Sequence, residues 1–147
     1  MRDIDEIIIH ATATNPSWMA DKPVEDVVAE IRRWHVDERK WSDIGYHAII
    51  HRDGSVGLGR PIEKSGAHVG GRNKTTIGVS LVGGRGGVAD GEFHDSFTGQ
   101  QEASLKQLIA QYKEDFPSIT KVSGHNEYAA KACPCFSVRE WLTVAKI

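Results

Sequence analysis

Long apolar runs are missing from this 147-residue chain. No stretch approaches the roughly 20 residues that span a bilayer, so membrane insertion is not expected. A strong charge of one sign is missing too. Eighteen basic against 20 acidic residues leave a net charge of −2, which argues against a bulk nucleic-acid binder. Cysteine is scarce: Cys133 and Cys135 stand alone, with Pro134 between them, and a bridge there would close a small, strained ring. Asp3, Asp5 and Glu6 occupy the N-terminus, where a secretory leader has a basic segment and then a long apolar one. A protein made and kept in a cytoplasm is the expectation, and there two cysteines are metal-binding, catalytic or inert rather than bridged. Repeats, low-complexity tracts and long linkers are absent, so residues 1–147 read as a single domain with one core. Gly83-Gly84-Arg85-Gly86-Gly87 is no phosphate loop, because no Gly-Lys-Ser/Thr follows it.

What is present is an alternation of strands and helices. Ile4 to Thr12 reads as a strand, and its isoleucines mark it as central and covered on both faces. Asn15 to Pro23 is a loop. Val24, Val27, Val28 and Ile31 recur at helical spacing, with Glu25 and Asp26 where the helix dipole favours acids, and that helix is expected to reach about Arg39. Gly45–His51 and Ser55–Arg60 form two strands around the turn Arg52-Asp53-Gly54, a strong hairpin signal. Thr75 to Val82 is another strand, and a flexible loop then runs to about Phe97. Thr98-Gly-Gln-Gln101 and Ser137-Val-Arg-Glu140 are capping-box patterns that open two more helices. Between them, Ile119 to Ser123 is a short strand. The reading is an α/β domain: a central mixed sheet of about five strands flanked by about three helices.

His10, His125 and Cys133 are the candidate chemistry. His10 ends the run Ile7-Ile8-Ile9, and His125 follows a predicted strand directly, eight positions before Cys133. Two nitrogens and one sulfur suit Zn²⁺, and three protein ligands leave a fourth position open, the pattern of a catalytic zinc. Taken singly, each has a plainer reading: a strand-edge histidine, or a small buried hydrophobe for the cysteine. His10 and His125 both end predicted strands, where ligand sites of open α/β sheets lie, and Cys133 follows in a loop held by Pro134 and the helix cap at Ser137. Tyr46 and Lys131 fit a zinc hydrolase, against plainer readings as a core aromatic and a solvated lysine. In a regular strand Tyr46 and His47 point to opposite faces, so only one is expected to face the metal. No identifiable pair of carboxylates marks a glycosidase.

These residues sit in an ordered series: Ile7-Ile-Ile-His10-Ala-Thr-Ala-Thr14, Ile31-Arg-Arg-Trp-His35, Asp43-Ile-Gly-Tyr46-His-Ala-Ile-Ile50, Arg52-Asp-Gly54, Gly59-Arg60, Gly66-Ala-His68, Ile77-Gly-Val-Ser-Leu-Val-Gly-Gly84, Gly124-His125-Asn-Glu127 and Lys131-Ala-Cys133-Pro134. The series covers nearly the whole chain. It resembles the zinc-dependent N-acetylmuramoyl-L-alanine amidases, type 2, of the peptidoglycan-recognition fold, and within them the small phage enzymes often called lysozymes. The resemblance implies one Zn²⁺ on His10, His125 and Cys133, catalytic roles for Tyr46 and Lys131, and substrate contact by His68. The implied reaction is hydrolysis of the amide between N-acetylmuramic acid and L-alanine of the stem peptide. The implied setting is a monomeric phage endolysin that accumulates in the bacterial host cytoplasm and reaches peptidoglycan after a membrane lesion. Cys135 and Ser137 depart from the pattern, since related enzymes often carry a small residue and an aspartate there. Ser137 can still cap a helix, and Cys135 is read as a buried or reactive free thiol. His35, His47, His51 and His94 are read as surface or core residues rather than ligands, with His47 on the face away from the zinc.

Three rivals stay open on sequence grounds. One is a non-catalytic peptidoglycan-binding module of the same fold. Another is a cysteine hydrolase with Cys133 as nucleophile, and the third is a purely structural zinc.

Overall fold

Ile7, Ile9 and Ala11 alternate with Glu6, Ile8 and His10 along β1 (Glu6–Ala11), and all six residues are buried. The computed structural model, which describes all 147 residues, gives the reason. β1 lies inside a five-stranded sheet of order β3-β2-β4-β1-β5, with β2 at Ala48–Ile50, β3 at Val56–Leu58, β4 at Thr76–Leu81 and β5 at Lys121–Gly124. It pairs in parallel with β4 on one side and β5 on the other. β2 is parallel to β4 and antiparallel to β3, so the sheet is mixed, as expected. Gly54 takes the positive φ of 88° that closes the β2–β3 hairpin.

The two faces differ. Ile7 and Ile9 of β1 join Ile77, Val79 and Leu81 of β4 in one apolar cluster. Over it pack Leu105 and Ile109 of α3 (Gly99–Asp115) and Trp141 of α4 (Val138–Ala145). Each such side chain taken fully out of water contributes roughly 1.5–3 kcal/mol. On the opposite face, α1 (Val24–Arg33) lays Val24, Val27, Val28 and Ile31 against Ile49 and Val82. The helix sits close because β3 carries Gly57, where a Cβ would come within 2.6 Å of Val28 Cγ2. α1 covers the β2–β3 end of this face. The stretch over β4, β1 and β5 carries the buried polar residues Glu6, His10, Thr76, Ser80 and Ser123 around Ile8.

The capping box of α3 is as read: Thr98 Oγ1 accepts from Gln101 N–H at 3.1 Å, and Gln101 Oε1 accepts from Thr98 N–H at 3.0 Å. Gln101 Nε2 also donates to the carbonyls of Ile50 and Val82, joining the cap to the sheet. Ser137 caps α4 by accepting from Glu140 N–H. Two segments differ from expectation. The first helix leaves α-geometry at Trp34 and ends in a π-helical turn, Trp34–Glu38. The loop after β4 contains a short helix, α2 (Phe93–Ser96), held by reciprocal bonds between Glu92 and Asp95, so the helices number four rather than three.

Candidate metal centre

His10 and His125 are 115 positions apart, but register makes them neighbours. Ile9 pairs with Gly124 across β1 and β5, so the next residue of each strand comes level at the strand ends. The His10 and His125 ring centroids are 4.7 Å apart. Cys133 arrives from the loop before α4, and its Sγ lies 3.9 Å from His10 Nδ1. One ligand atom each from His10, His125 and Cys133 lies within 4.8 Å of the others. Ideal tetrahedral zinc bonds of about 2.0–2.1 Å to nitrogen and 2.3 Å to sulfur set donors about 3.3–3.6 Å apart. The set fits a zinc ion after a small inward movement of the side chains. The sulfur is already supported, since Ala11 N–H donates to Cys133 Sγ at 3.2 Å, an outer contact that orients a ligand.

Burial governs the protonation states of these side chains. It holds His10 well below the ordinary histidine range, helped by His68, His125 and Lys131. Burial and the Lys131 charge lower His125 too. Both imidazoles are therefore neutral at pH 7 and able to ligate. Burial pushes the Cys133 thiol up to about 11, so a metal must displace its proton on binding.

Tyr46 stands beside His10, with ring centroids 5.1 Å apart. Burial first, and then Cys133, push its phenol up to about 12. Its hydroxyl is a neutral donor at pH 7. The π-helical turn sets its position: His35 Nδ1 accepts from Gly45 N–H at 2.9 Å, and the His35 ring lies 5.6 Å from that of Tyr46. Lys131 is exposed, and its positive charge bears on His10, His125 and Cys133 alike.

His47 is a correction. Ladder bonds run on to His47, which donates its N–H to the Gly78 carbonyl and accepts from Gly59 N–H, yet the rings of both Tyr46 and His47 lie near the site. The His47 ring lies on the site's side of the sheet, 6.1 Å from that of His68. It is a structural residue there: Nδ1 accepts from Gly78 N–H and Nε2 lies 2.8 Å from the Lys64 carbonyl. His68 is partly exposed, and its ring packs edge-on to His10 at 5.0 Å. His35 and His51 are buried, and His94 is exposed beside Glu102. Cys135 is a buried free thiol whose S–H donates to the Gly84 carbonyl. Sequence reading passed over Thr76, Asn73 and Gly78, which hold His68. The signal was Gly78 inside the run Ile77-Gly78-Val79, since a glycine in a buried strand often marks a close approach.

A mixed sheet that brings two histidines at parallel strand ends together with a loop cysteine, beside a tyrosine, presents a donor set compatible with a metal ion. Residues 1–136 match the family model described as N-acetylmuramoyl-L-alanine amidase. The endolysin of Escherichia phage T7 is 41% identical over 138 residues, covering 93% of this chain and 84% of that protein. The endolysin of Klebsiella phage KP32 is 39% identical over 141 residues, covering 95% and 86%. Among solved structures, the N-acetylmuramoyl-L-alanine amidase LysC from Clostridium intestinale superposes with a TM-score of 0.71 at 25% identity, over 99% of this chain and 87% of that one. The chain belongs to the N-acetylmuramoyl-L-alanine amidase family. It is a peptidoglycan amidase, the activity that its ordered motifs implied.

Proposed function

We propose that His10, His125 and Cys133 hold one zinc ion, that Tyr46 and Lys131 act on the amide beside it, and that His68 lines the substrate cleft. The enzyme then serves as a phage endolysin, working as a monomer that meets peptidoglycan from the host cytoplasm after a membrane lesion. The observation that carries the zinc reading is the convergence of three donors, two of them neutral imidazoles, at the ends of β1 and β5. No helix is long and apolar enough to cross a membrane, which is in keeping with action on the wall after such a lesion.

A zinc ion held there supplies Lewis acidity, activating water near neutral pH and polarising the amide carbonyl. The chain's own groups do the rest. Lys131 brings a fixed positive charge to the oxygen on which negative charge develops. Burial pushes the Tyr46 phenol up to about 12, which favours a role for its hydroxyl as a hydrogen-bond donor to the reacting groups. His10 and His125 stay neutral, and the carrier of the leaving amine's proton must come from outside this pair.

The cysteine-hydrolase rival fits poorly. A nucleophilic cysteine needs a lowered pKa, whereas burial pushes Cys133 up to about 11. The test uses purified peptidoglycan. Free L-alanine amino termini are expected to appear with no new reducing sugar ends. Chelation should abolish the release and added Zn²⁺ should restore it. New reducing ends without amino termini would overturn the bond assignment, and activity that survives chelation would overturn the zinc.

A further inference from the structure

The ligand triad alone does not explain why His10 turns Nδ1 toward Cys133, or what receives the proton on Nε2. The residues behind it do. Thr76 Oγ1 lies 2.9 Å from the Arg72 carbonyl oxygen and 3.1 Å from His68 Nε2. His68 Nδ1 lies 2.8 Å from His10 Nε2. His10 Nδ1 is the nitrogen that faces Cys133 Sγ.

One end of this chain has only one possible direction. A carbonyl oxygen accepts and never donates, so the single hydroxyl proton of Thr76 goes to Arg72. Thr76 Oγ1 must then accept, which puts a proton on His68 Nε2. A neutral imidazole carries one ring proton, so His68 Nδ1 is bare and accepts in its turn. His10 Nε2 must donate to it. His10 Nδ1 is left with a free lone pair, aimed at the space it shares with Cys133.

We infer that the peptide carbonyl of Arg72, acting through Thr76 and His68, fixes His10 in the tautomer that can bind zinc, which makes His68 and Thr76 positioning residues of the metal centre. The inference rests on the zinc reading of His10. It gives His68 a task apart from its place in the cleft wall: both ring nitrogens are engaged inside the protein, so only the carbon edge of the ring is left for a substrate.

The surroundings hold His68 to this task. Its ring lies flat on β4 at Gly78, where a Cβ would come within 2.7 Å of the ring's Cγ and 2.8 Å of Nδ1. Asn73 Oδ1 accepts from the backbone N–H groups of His68 and Val69, both at 3.0 Å. Thr76 opens the same strand, two residues from the glycine seat. Outer partners of this kind typically command about 10- to 100-fold in metal affinity.

The test uses the full chain and two readouts. Zinc affinity is measured by competition with a chromogenic chelator, and the His10 tautomer is read by ring ¹⁵N NMR on metal-free protein. Wild type is expected to show the proton on His10 Nε2. His68→Ala should weaken zinc binding about 10- to 100-fold. Thr76→Val should weaken it about 10-fold and mix the His10 tautomers, while Thr76→Ser, which keeps the hydroxyl, should stay within about twofold of wild type. The Thr76 pair guards against a His68 variant that fails to fold. Equal zinc affinity in Thr76→Val and Thr76→Ser would overturn the inference, as would a proton on Nδ1 of metal-free His10 in a wild type that binds zinc. A wild type that binds no zinc at all would instead overturn the zinc reading.

Discussion

The two faces of β1 and β4 are made of alternate residues of the same two strands, yet they do different work. Ile7, Ile9, Ile77, Val79 and Leu81 form an unbroken apolar surface under α3 and α4. Glu6, His10, Thr76 and Gly78, their neighbours in sequence, carry a buried carboxylate, a metal-ligand candidate, a tautomer-setting hydroxyl and a seat for a ring. Burial is nearly complete on both sides. Burial therefore does not distinguish foundation from site; the polar residues confined to one face do, with Ile8 the apolar member among them. A strand covered on both faces is usually apolar throughout, and each polar residue in one is a candidate for function.

Adjacent substitutions in β1 give the largest contrast. His10→Ala is expected to cut kcat/KM, measured per folded molecule, by more than the roughly 100-fold that outer partners command. Ile9→Ala should cost about 2–5 kcal/mol of stability and leave the activity per folded molecule within about threefold of wild type, as checked by denaturant titration beside the peptidoglycan assay. If Ile9→Ala destroyed activity in fully folded protein, the division between faces would fail. Tyr46→Phe comes next. Losing a preorganised donor costs about 10²–10³-fold in kcat. Because the phenol is pushed up to about 12, the wild-type rate should show no loss attributable to tyrosine ionisation up to about pH 10.

Glu6 blurs the comparison, being a buried charge on the site face that serves stability. Burial raises its carboxyl, but hydrogen bonds from Ser123, Tyr128 and Arg72, together with the Arg72 charge, outweigh burial and hold it below the ordinary glutamate range. The depressed native pKa means that Glu6 stabilises the fold fully above the ordinary glutamate range. That contribution is lost as pH falls through the lowered native value. Glu6→Gln should therefore cost about 1–3 kcal/mol near neutrality, with a gap from wild type that narrows below about pH 4. A gap independent of pH would count against the carboxylate. The smallest effect is expected at Cys135. Its thiol bonds the Gly84 carbonyl rather than the ligand triad, so Cys135→Ala should keep zinc affinity within about twofold, at a stability cost of about 1 kcal/mol.

The sequence was legible where signals are local. The isoleucine run announced β1, Thr98 and Gln101 announced the cap of α3, and Asp53-Gly54 announced the hairpin. His10, His125 and Cys133 stood out because ligand chemistry is a property of residue type. Their meeting was not legible, because it depends on Ile9 lying opposite Gly124, and no local pattern records the register of strands so far apart. The side of His47 was not legible, because its ring turns toward His68, a residue of a distant loop. α2 was missed because its cap uses Glu92 and Asp95 rather than the serine or threonine that usually opens a helix. The link from His68 to His10 joins three segments and leaves no trace in any one of them.

The register of β1 also ties the proposed metal centre to distant parts of the sequence. β1 lies between strands that come much later: Glu6 pairs with Thr76 on one side and with Lys121 on the other. A nascent chain that stops short of β5 possesses His10 but neither His125 nor Cys133. Domains dominated by such distant pairings tend to fold slowly. On the zinc reading, a chain that stops short of β5 would hold one of the three proposed ligands and lack the other two.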